Sequence, residues 1–514
     1  MKHRLFLILA ILVFLYPSCS EARQNGIFQD DSVFQGNELI NLERFRQIVD
    51  TTLSRFEMQG TLAGFKVVDL STGMTLFDFN GDVLFNPASN MKIVTTSAAL
   101  YGLGPGYQFT TSFRTAGPTD AQGTVKGDLY VIGHGDPLLT DENLERLATD
   151  IYHAGLRTIE GDIVIDDSFF DQVRQIPGWD SQTDRSCYSA PMGALSVQFN
   201  TVWITVYPSP KAGQKASISI TPKTGYFRIR NMVKTTRKGR TKIAIRMAAG
   251  RHKPELIIQG RISSRDAGGI ITCRKIDDPA AYAGWTLYDY LTRQGIRIRG
   301  KVKIQAADSM AGYEILNFRS LPLEELVFQL NKESNNFMAE QIFKTLAAEK
   351  KGQPGTWDKG ASFTGEFLSQ VVGTKDGSYE IQNGSGLGMD NRLSPDMLIR
   401  VLRYMYTNPA LKNAFLASLP VMGLDGTLRN RHKNSDASYR VIAKTGLLNN
   451  VMTLSGYVET KGCDKLAFSL LLNRLTVKPR VNLRKIQDEI ILAMSNLMLN
   501  PANQSCMALR PPAQ

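Results

Sequence analysis

Hydrophobic and polar residues follow two different periods along this chain of 514 residues. Residues 37–58 carry apolar side chains at helical spacing, and this pattern predicts an amphipathic helix. Two strand-like segments, 62–70 and 74–79, flank Ser71-Thr72-Gly73, and this arrangement predicts a β-hairpin. Later segments with these two periods are predicted as helices at 323–348, 395–406 and 481–499 and as strands at 439–448, 452–459 and 465–473.

The stretch from residue 107 to residue 310 has another texture, with short alternating segments separated by Gly and Pro. Such a pattern predicts mostly β structure. Since both ends of the chain combine helices with strands, the simplest arrangement is a domain inserted into another domain. We predict an α+β domain from residues 23–106 and 311–514. The β-rich insertion at 107–310 is predicted to hold two nested domains, about 107–190 with 272–310 and about 191–271.

The N-terminus has the layout of a secretory signal peptide. Residues 2–4 include two basic side chains, and an unbroken apolar run follows over residues 5–16. That run is too short to span a bilayer comfortably. Cleavage after Ser20 or Ala22 fits the small-residue rule, so residues 1–22 are predicted to be removed and the protein exported. A retained N-terminal anchor is the alternative.

The formal net charge is +12, and much of it is concentrated in residues 223–253. An exported protein rarely meets nucleic acid, so we expect no nucleic-acid partner. An anionic envelope polymer or a membrane surface fits this charge better. The alternative interpretation of the basic segment is a solvated face of a β-rich domain.

Cysteine usage agrees with an oxidising compartment. Proximity along the chain favours the pairs Cys187 with Cys273 and Cys463 with Cys506, although four cysteines allow other pairings. Cys19 directly follows the apolar run and leaves lipid modification open as a less favoured alternative. The cysteines form no C-x-x-C pattern and the histidines are isolated, so we expect no metal and no cofactor.

Ser89 and Lys92 form the only S-x-x-K spacing in the sequence. Residues three apart on a helix are neighbours, so the lysine can act as the base that a serine nucleophile needs. Pro87 and the run at 93–100 predict a helix that begins near Ser89. Unpaired backbone N–H groups at such a helix start can stabilise an oxyanion.

Two later motifs carry matching chemistry. Ser334 and Asn336 belong to Ser-Asn-Asn in a segment predicted as one long helix, where the serine can bond a lysine and the amide can hold a substrate. Lys444, Thr445 and Gly446 follow a strand-like segment. The lysine and threonine suit a substrate carboxylate, and the glycine permits close backbone approach.

A second Lys-Thr-Gly occurs at residues 223–225, before Ser334. Its position in the basic, β-rich middle of the chain does not fit the order of the other motifs. We therefore interpret it as an ordinary surface turn.

S-x-x-K, S-x-N and K-T-G in this order are the signature of penicillin-binding proteins and serine β-lactamases. Over nearly all of the mature chain, the sequence resembles the D-alanyl-D-alanine carboxypeptidase/endopeptidase family typified by penicillin-binding protein 4. The further segments that carry the resemblance are 135–137, 189–191, 331–333 and 423–428. The long interval between Ser89 and Ser334 also fits, since that family places accessory domains there.

The resemblance implies an antiparallel sheet with flanking helices, as in serine β-lactamases and DD-transpeptidases, and an acyl-enzyme mechanism. Ser89 would attack a D-Ala-D-Ala bond with Lys92 as general base. Ser334 would relay the proton to the leaving amine, and Asn336 would orient the peptide. Peptidoglycan stem peptides would be the substrates and β-lactams covalent inhibitors, in the periplasm. A homodimer stays open.

The resemblance also implies binding residues. Lys444 and Thr445 would hold the terminal carboxylate, with Gly446 beside them, and the backbone N–H groups of Ser89 and Leu447 would form the oxyanion hole. Asp166 resembles an acidic residue that contacts the free amino end of a peptidoglycan side chain. A turn aspartate that caps a strand end is the equally weighted alternative for Asp166.

Three positions depart from the family pattern. Leu447 stands where Ser or Thr is common, Asn383 where Asp is common, and Met389 where relatives often carry Arg. These departures bear on substrate preference rather than on acyl transfer. A serine β-lactamase is the rival activity, but class C enzymes have Tyr in place of Ser334 and the class A E-x-x-L-N motif is absent from the sequence. A non-catalytic envelope scaffold is the other alternative.

Overall fold

The structure is a computed structural model that describes residues 37–57, 60–179, 187–251, 253–307, 312–375, 378–474 and 482–499. The helices are α1 (Asn37–Glu57), α2 (Met91–Leu103), α3 (Asp141–His153), α4 (Pro279–Arg293), α5 (Leu323–Glu333), α6 (Asn336–Lys351), α7 (Trp357–Glu366), α8 (Pro395–Thr407), α9 (Pro409–Ser418) and α10 (Leu483–Ser495). The strands are β1 (Thr61–Asp69), β2 (Thr75–Phe79), β3 (Thr110–Thr115), β4 (Thr124–Val125), β5 (Leu129–Gly133), β6 (Thr158–Ile159), β7 (Ile163–Asp166), β8 (Thr201–Tyr207), β9 (Ser217–Thr221), β10 (Arg228–Thr236), β11 (Lys242–Ala248), β12 (Glu255–Ser263), β13 (Ile270–Lys275), β14 (Arg297–Ile298), β15 (Val302–Ile304), β16 (Tyr313–Arg319), β17 (Val441–Leu448), β18 (Val451–Glu459) and β19 (Lys465–Arg474).

An antiparallel sheet in the order β17-β18-β19-β1-β2 joins the two ends of the chain. The predicted hairpin is β1 and β2, and the three strands predicted near the C-terminus are β17, β18 and β19. One face of this sheet packs on α1 and α10, where apolar residues of both helices are buried with those of the strands. The other face packs on α2 and α8. Helices thus flank the sheet on both sides, as expected.

Helix α2 lies inside the protein, and every residue from Met91 to Leu100 is buried. Its segment is apolar on all sides, so it has no solvent-facing stripe. Helices α5, α6, α8 and α9 surround it and share one apolar core with it. Because α2 begins at Met91, Ser89 and Lys92 are held at the start of a fully buried helix segment.

The middle of the chain forms separate sheets over its own apolar core. Among the described residues, β15-β7-β5-β3-β16 form a mixed sheet, and the smaller sheets have the orders β14-β6-β4, β13-β8-β9 and β10-β12-β11. Helices α3 and α4 pack against them. The β-rich texture predicted for this region is confirmed, whereas the exact domain boundaries stay a prediction.

The middle region packs against α6 and its neighbours. Met192 and Ile176 share an apolar cluster with Phe337 and Phe343 of α6. Lys344, also on α6, is fully buried and forms an ion pair of 2.6 Å with Asp171. These contacts fix the accessory region to the helix that begins at Asn336.

The disulfide between Cys187 and Cys273 is present, as predicted. It ties β13 to residues 187–189, and the carbonyl oxygen of Tyr188 there accepts a hydrogen bond from Asn336. The second predicted pair includes Cys506, which lies outside the described residues. Cys19 and the predicted signal peptide, residues 1–22, also lie outside them.

The prediction of one continuous helix over 323–348 is wrong. Helix α5 ends at Glu333 and α6 begins at Asn336. Ser334 between them has a φ of 57°, in the left-handed region, and the Asn335 side chain caps α6 by accepting a hydrogen bond from the Met338 N–H. Apolar periodicity continues through the break, so the pattern alone could not reveal it.

Candidate active site

Ser89 lies in a short 3₁₀ helix, Ala88–Asn90, that leads directly into α2. The chain enters this turn through Ala88, whose φ of 46° is also left-handed. Lys92 follows within one turn, and its Nζ donates a hydrogen bond of 3.0 Å to Ser89 Oγ. The contact predicted from the S-x-x-K spacing is therefore present.

Lys92 is fully buried, and its Nζ is held by two further acceptors. These are the Asn336 Oδ1 and the Ser385 carbonyl oxygen, each 2.7 Å away. Burial lowers the pKa of Lys92 to about 7, and the negative charge of Glu340 opposes that shift. At neutral pH a large fraction of this amine is uncharged, so it can accept the proton of the serine hydroxyl.

Ser334 and Lys444 form a second serine–lysine contact. The left-handed conformation of Ser334 places its Oγ 2.7 Å from Lys444 Nζ, which donates the hydrogen bond. Lys444 is fully buried on β17, and its Nζ also donates to the Thr445 carbonyl at 2.9 Å. Burial lowers the pKa of Lys444 well below its usual value, and the positive charge of Lys92 lowers it further.

Asn336 connects Lys92 with the accessory region. Its Oδ1 accepts from Lys92, while its Nδ2 donates to the Tyr188 carbonyl at 3.3 Å. Tyr188 follows Cys187 of the disulfide, and its side chain is half exposed. The first residue of α6 thus connects the catalytic constellation with the cross-linked segment of the insertion.

Gly446 lets β17 pass beside the serine. A Cβ at this position would lie 2.1 Å from Thr453 Oγ1 and 3.0 Å from both the Pro87 carbonyl oxygen and the Ser89 nitrogen. Any larger residue would push β17 away from Ser89. Among the described strands, β17 is an edge of its sheet, so an extended peptide can approach it beside the serine.

The loop at 423–428 supports Thr445 from the other side. Thr445 Oγ1 donates to Thr427 Oγ1 at 2.8 Å. Lys332 on α5 anchors the loop through an ion pair of 2.7 Å with Asp425. A Cβ on Gly426 would lie 2.6 Å from the Lys332 carbonyl oxygen, so only glycine fits there.

Sequence reasoning missed Glu340, which lies one turn after Asn336 on α6 and is fully buried. Its Oε1 accepts from the Ser385 N–H at 2.8 Å, and its Oε2 accepts from the Gly384 N–H at 3.1 Å and from Trp357 Nε1 at 2.7 Å. The same Ser385 presents its carbonyl to Lys92. Glu340 therefore fixes the loop that holds the general-base candidate. The sequence alone carries no signal for this role, because the burial of Glu340 and its partners at 384–385 are set by the fold.

Asp166 is buried at the end of β7. Its Oδ1 accepts from the Ser168 N–H at 2.9 Å, and its Oδ2 accepts from the Ala307 N–H at 2.9 Å. Both oxygens are thus engaged by backbone groups, which is the geometry of the strand-capping alternative.

Asn383 organises the loop that follows it. Its Nδ2 donates to the carbonyl oxygens of Leu387 at 2.8 Å and Pro177 at 3.0 Å, and its Oδ1 accepts from the Gly386 N–H at 2.9 Å. A carboxylate could not donate the first two hydrogen bonds. The amide therefore has a structural use in this chain.

Two other departures from the family pattern are solvent-facing. Met389 is 52% exposed and Leu447 is 67% exposed. Met389 Sδ accepts from Asn86 Nδ2 at 3.7 Å, and neither side chain carries a charge or a hydroxyl.

The second Lys-Thr-Gly forms a turn between β9 and β10, as predicted. Thr224 Oγ1 accepts a hydrogen bond from Thr286 Oγ1 on α4, and Lys223 is exposed. None of the three active-site motifs contacts this turn in the described part of the chain.

The described residues contain no group of His, Cys, Asp and Glu side chains able to hold a metal ion. Within the same residues, none of the helices is both long enough and apolar enough to cross a bilayer.

Comparison with known proteins gives one consistent result. Residues 45–497 match the profile of the D-Ala-D-Ala carboxypeptidase 3 (S13) family. A D-alanyl-D-alanine carboxypeptidase of Actinomadura sp. is 31% identical over 92% of this chain and 88% of its own. The D-alanyl-D-alanine carboxypeptidase DacB of Haemophilus influenzae is 25% identical over 84% of this chain and 90% of its own.

The crystal structure of penicillin-binding protein 4 from Haemophilus influenzae superposes with a TM-score of 0.74. It covers 89% of this chain and 99% of that structure, at 23% identity, so it supports the fold. The expected α+β fold, with a sheet flanked by helices, is confirmed. With a family match over most of its length and this set of serine–lysine contacts, the chain belongs to the D-Ala-D-Ala carboxypeptidase 3 (S13) family of serine peptidases.

Proposed function

We propose that the chain cleaves D-Ala-D-Ala bonds, D-Ala-diamino acid cross-links or both in peptidoglycan through an acyl-enzyme on Ser89. The observation that carries the proposal is the hydrogen bond between Lys92 Nζ and Ser89 Oγ at 3.0 Å, made by a buried lysine whose pKa is lowered to about 7. Family membership supports the reaction class, a penicillin-sensitive serine DD-peptidase.

In the acylation step, Ser89 Oγ attacks the carbonyl carbon of the penultimate D-Ala while its proton passes to Lys92 Nζ. The carbonyl oxygen becomes an oxyanion, for which the backbone N–H groups of Ser89 and Leu447 are the proposed donors. The closeness of β17 to the Ser89 nitrogen, which only Gly446 permits, supports this pair.

Collapse of the tetrahedral intermediate breaks the C–N bond and needs a proton on the leaving amine. Ser334 Oγ is proposed to deliver it, and the proton that Lys92 took from Ser89 then replaces the one that Ser334 gave up, which leaves Lys92 uncharged for the next step. Lys444 orients Ser334 Oγ through its hydrogen bond. Water or an amine then attacks the acyl-enzyme, and Lys92 again serves as base. The choice between water and an amine separates hydrolysis from transpeptidation.

Lys444 and Thr445 are the proposed partners of the substrate carboxylate. An incoming carboxylate would favour the charged form of Lys444, which burial disfavours. Asn336 would hold the peptide amide. Asp166 stays a proposed contact for a substrate amino group, although its present hydrogen bonds support the capping role.

The proposed location is the periplasm after removal of residues 1–22, with peptidoglycan stem peptides as substrates and β-lactams as covalent inhibitors. The apolar N-terminal run supports export.

The direct test is to incubate the full chain with cross-linked peptidoglycan and identify the cleaved bond. We expect free D-Ala, opened cross-links or both, and a labelled penicillin that attaches covalently and leaves slowly. Rapid turnover of the penicillin would instead favour a β-lactamase, and the absence of both cleavage and labelling would favour a scaffold.

A separate prediction concerns Glu340→Gln. The amide removes the negative charge that raises the pKa of Lys92, so the acid limb of acylation should move to lower pH. In the wild type, both carboxylate oxygens of Glu340 accept from N–H donors. In Glu340→Gln, the amide N–H₂ group replaces one of these oxygens and cannot accept from its donor. We expect acylation by penicillin to slow about tenfold and stability to fall by about 1–3 kcal/mol. Acylation rates against pH and thermal unfolding measure both effects.

Glu349→Gln is the matched control, because Glu349 lies on the same helix, is exposed and accepts from the Tyr107 hydroxyl at 3.0 Å. It should leave the pH profile unchanged. A Glu340→Gln profile that coincides with the control profile would contradict the proposed role of Glu340.

A further inference from the structure

The solvent side of the sheet β10-β12-β11 carries a dense set of basic residues. Along β10 and β12, every second residue faces inward: Val233 and Thr235 are buried, as are Leu256 and Ile258. The residues between them lie on the other side of the sheet, where Ile257 and Ser263 are buried and the cations are exposed. The exposed cations of this outer side, with the adjoining Lys215, are Lys215, Arg228, Arg230, Lys234, Lys242, Arg246 and Arg261. We call this set the cationic face.

Four of these residues form one row across the sheet. Lys215 pairs with Lys234 in an isolated bridge, Lys234 lies opposite Arg261, and Arg261 lies opposite Lys242. Neighbouring strands are about 4.8 Å apart, so like charges stand side by side three times in succession. Like charges directly opposite each other destabilise a sheet.

The row has no internal neutralisation. In the described part of the chain, none of its four side chains takes part in an ion pair; Arg261 donates only to the Arg240 carbonyl, at 3.3 Å. Four residues before Lys234 on β10, Arg230 lies in register with Arg246 of β11, on the two sides of the central strand β12. At about 3.4 Å per residue, these two rows are about 14 Å apart.

The register position at the start of β10 adds a single acid. Arg228 lies opposite Glu255, which also pairs with Ala248. The cationic face therefore keeps a strong positive excess. The sheet needs none of these cations for its core, because its inward side already buries apolar residues. Such a cost to stability is best explained by an anionic partner.

The form of the face distinguishes between anionic partners. Met232 lies between the two rows, and its side chain is 48% exposed. Strands β10, β11 and β12 contain no aromatic residue. Surfaces that enter a bilayer combine cations with Trp, Phe or Leu, which this face lacks. Narrow rows of Arg and Lys suit carboxylates spaced along a strand, because guanidinium binds carboxylate in bidentate fashion.

We propose that the cationic face binds peptidoglycan strands through the carboxylates of their stem peptides, outside the site of Ser89. This inference rests on the proposed function, since it takes the same polymer as the ligand. The face keeps the enzyme on the polymer while the active site reaches successive stem peptides. Its attraction is electrostatic, so it weakens as salt rises.

The test is co-sedimentation of the full chain with purified, lipid-free, insoluble peptidoglycan, in a Ser89→Ala background so that the polymer is not consumed. The row variant is Lys234→Gln/Lys242→Gln/Arg261→Gln. The matched control removes three exposed cations elsewhere: Lys126→Gln/Arg297→Gln/Lys350→Gln. We expect the row variant to bind about tenfold more weakly, with a flatter salt dependence, and the control to bind as the parent does.

Two further measurements separate the possible failures. With Ser89 intact, the row variant should release D-Ala from a short soluble peptide at the rate of the wild type. If the wild type releases no D-Ala from this peptide, the proposed function is refuted, whereas the inference about the cationic face is not. Equal sedimentation of row variant and control overturns the inference. Binding to vesicles of phosphatidylglycerol and phosphatidylcholine is measured as well. If the row variant keeps peptidoglycan binding but loses vesicle binding, the cationic face recognises lipid and the inference is overturned.

Discussion

Replacement of Ser89 by alanine is expected to lower D-Ala release by at least about 10⁴-fold and to abolish covalent labelling by penicillin. The reason is that every step of the proposed mechanism passes through Ser89 Oγ, and removal of a serine nucleophile elsewhere costs about 10⁶-fold in kcat. The lost hydroxyl accepts from Lys92, which keeps its bonds to Asn336 and Ser385. The fold should therefore be retained. D-Ala release and mass spectrometry of the penicillin adduct measure the result.

Ser97→Ala is the matched control for Ser89→Ala. Ser97 lies on α2, the helix that follows Ser89, is fully buried, and its hydroxyl has no hydrogen-bond partner among the described residues. Removing that hydroxyl should leave both activities unchanged. If Ser89→Ala kept the labelling of the wild type, another residue would have to be the nucleophile.

Lys92→Met should have the second-largest effect, a loss of about 10³-fold or more in the acylation rate at neutral pH. In the wild type, Lys92 is protonated below its pKa of about 7 and cannot accept the serine proton. The acylation rate should therefore rise about tenfold per pH unit below pH 7 and level off above it. Methionine offers no titrating group, so this rise should disappear from the profile. Penicillin acylation measured from pH 5 to about pH 9 tests both statements.

Lys344→Met gives a comparison with another buried lysine. Lys344 is paired with Asp171 and the Val173 carbonyl, away from the serine hydroxyl. Its loss should reduce thermal stability, because the half-buried Asp171 keeps its charge without a partner, but should leave the acid limb near pH 7. An acid limb that survives in Lys92→Met would show that a different group titrates.

The motifs predicted much of the site because their chemistry is local in sequence. The spacing of Ser89 and Lys92 set their contact, and the order of the motifs selected Lys444 over Lys223. What the sequence could not reveal was that the two serine–lysine pairs share one buried space. In that space the charge of Lys92 acts on the pKa of Lys444, and Asn336 bonds to Lys92.

The errors of prediction have physical causes as well. A left-handed serine is uncommon, so a periodic pattern reads through Ser334 as continuous helix. Glu340 reads as an ordinary helix residue, because its partners at 384–385 are brought to it only by the fold. The role of Gly446 could be predicted from the sequence, because a glycine inside a strand often marks a close backbone approach.

The pairing of β1 with β19 also governs when activity can begin. Thr61 lies opposite Arg474, and Lys444 stands on the strand that closes the same sheet. A chain still emerging from the ribosome carries Ser89 but lacks Lys444 and the strands β17 to β19 that complete its site. Pairing over such sequence distances is slow. Catalytic competence is therefore a late event in biogenesis, and the nascent enzyme stays silent until the whole chain has been delivered.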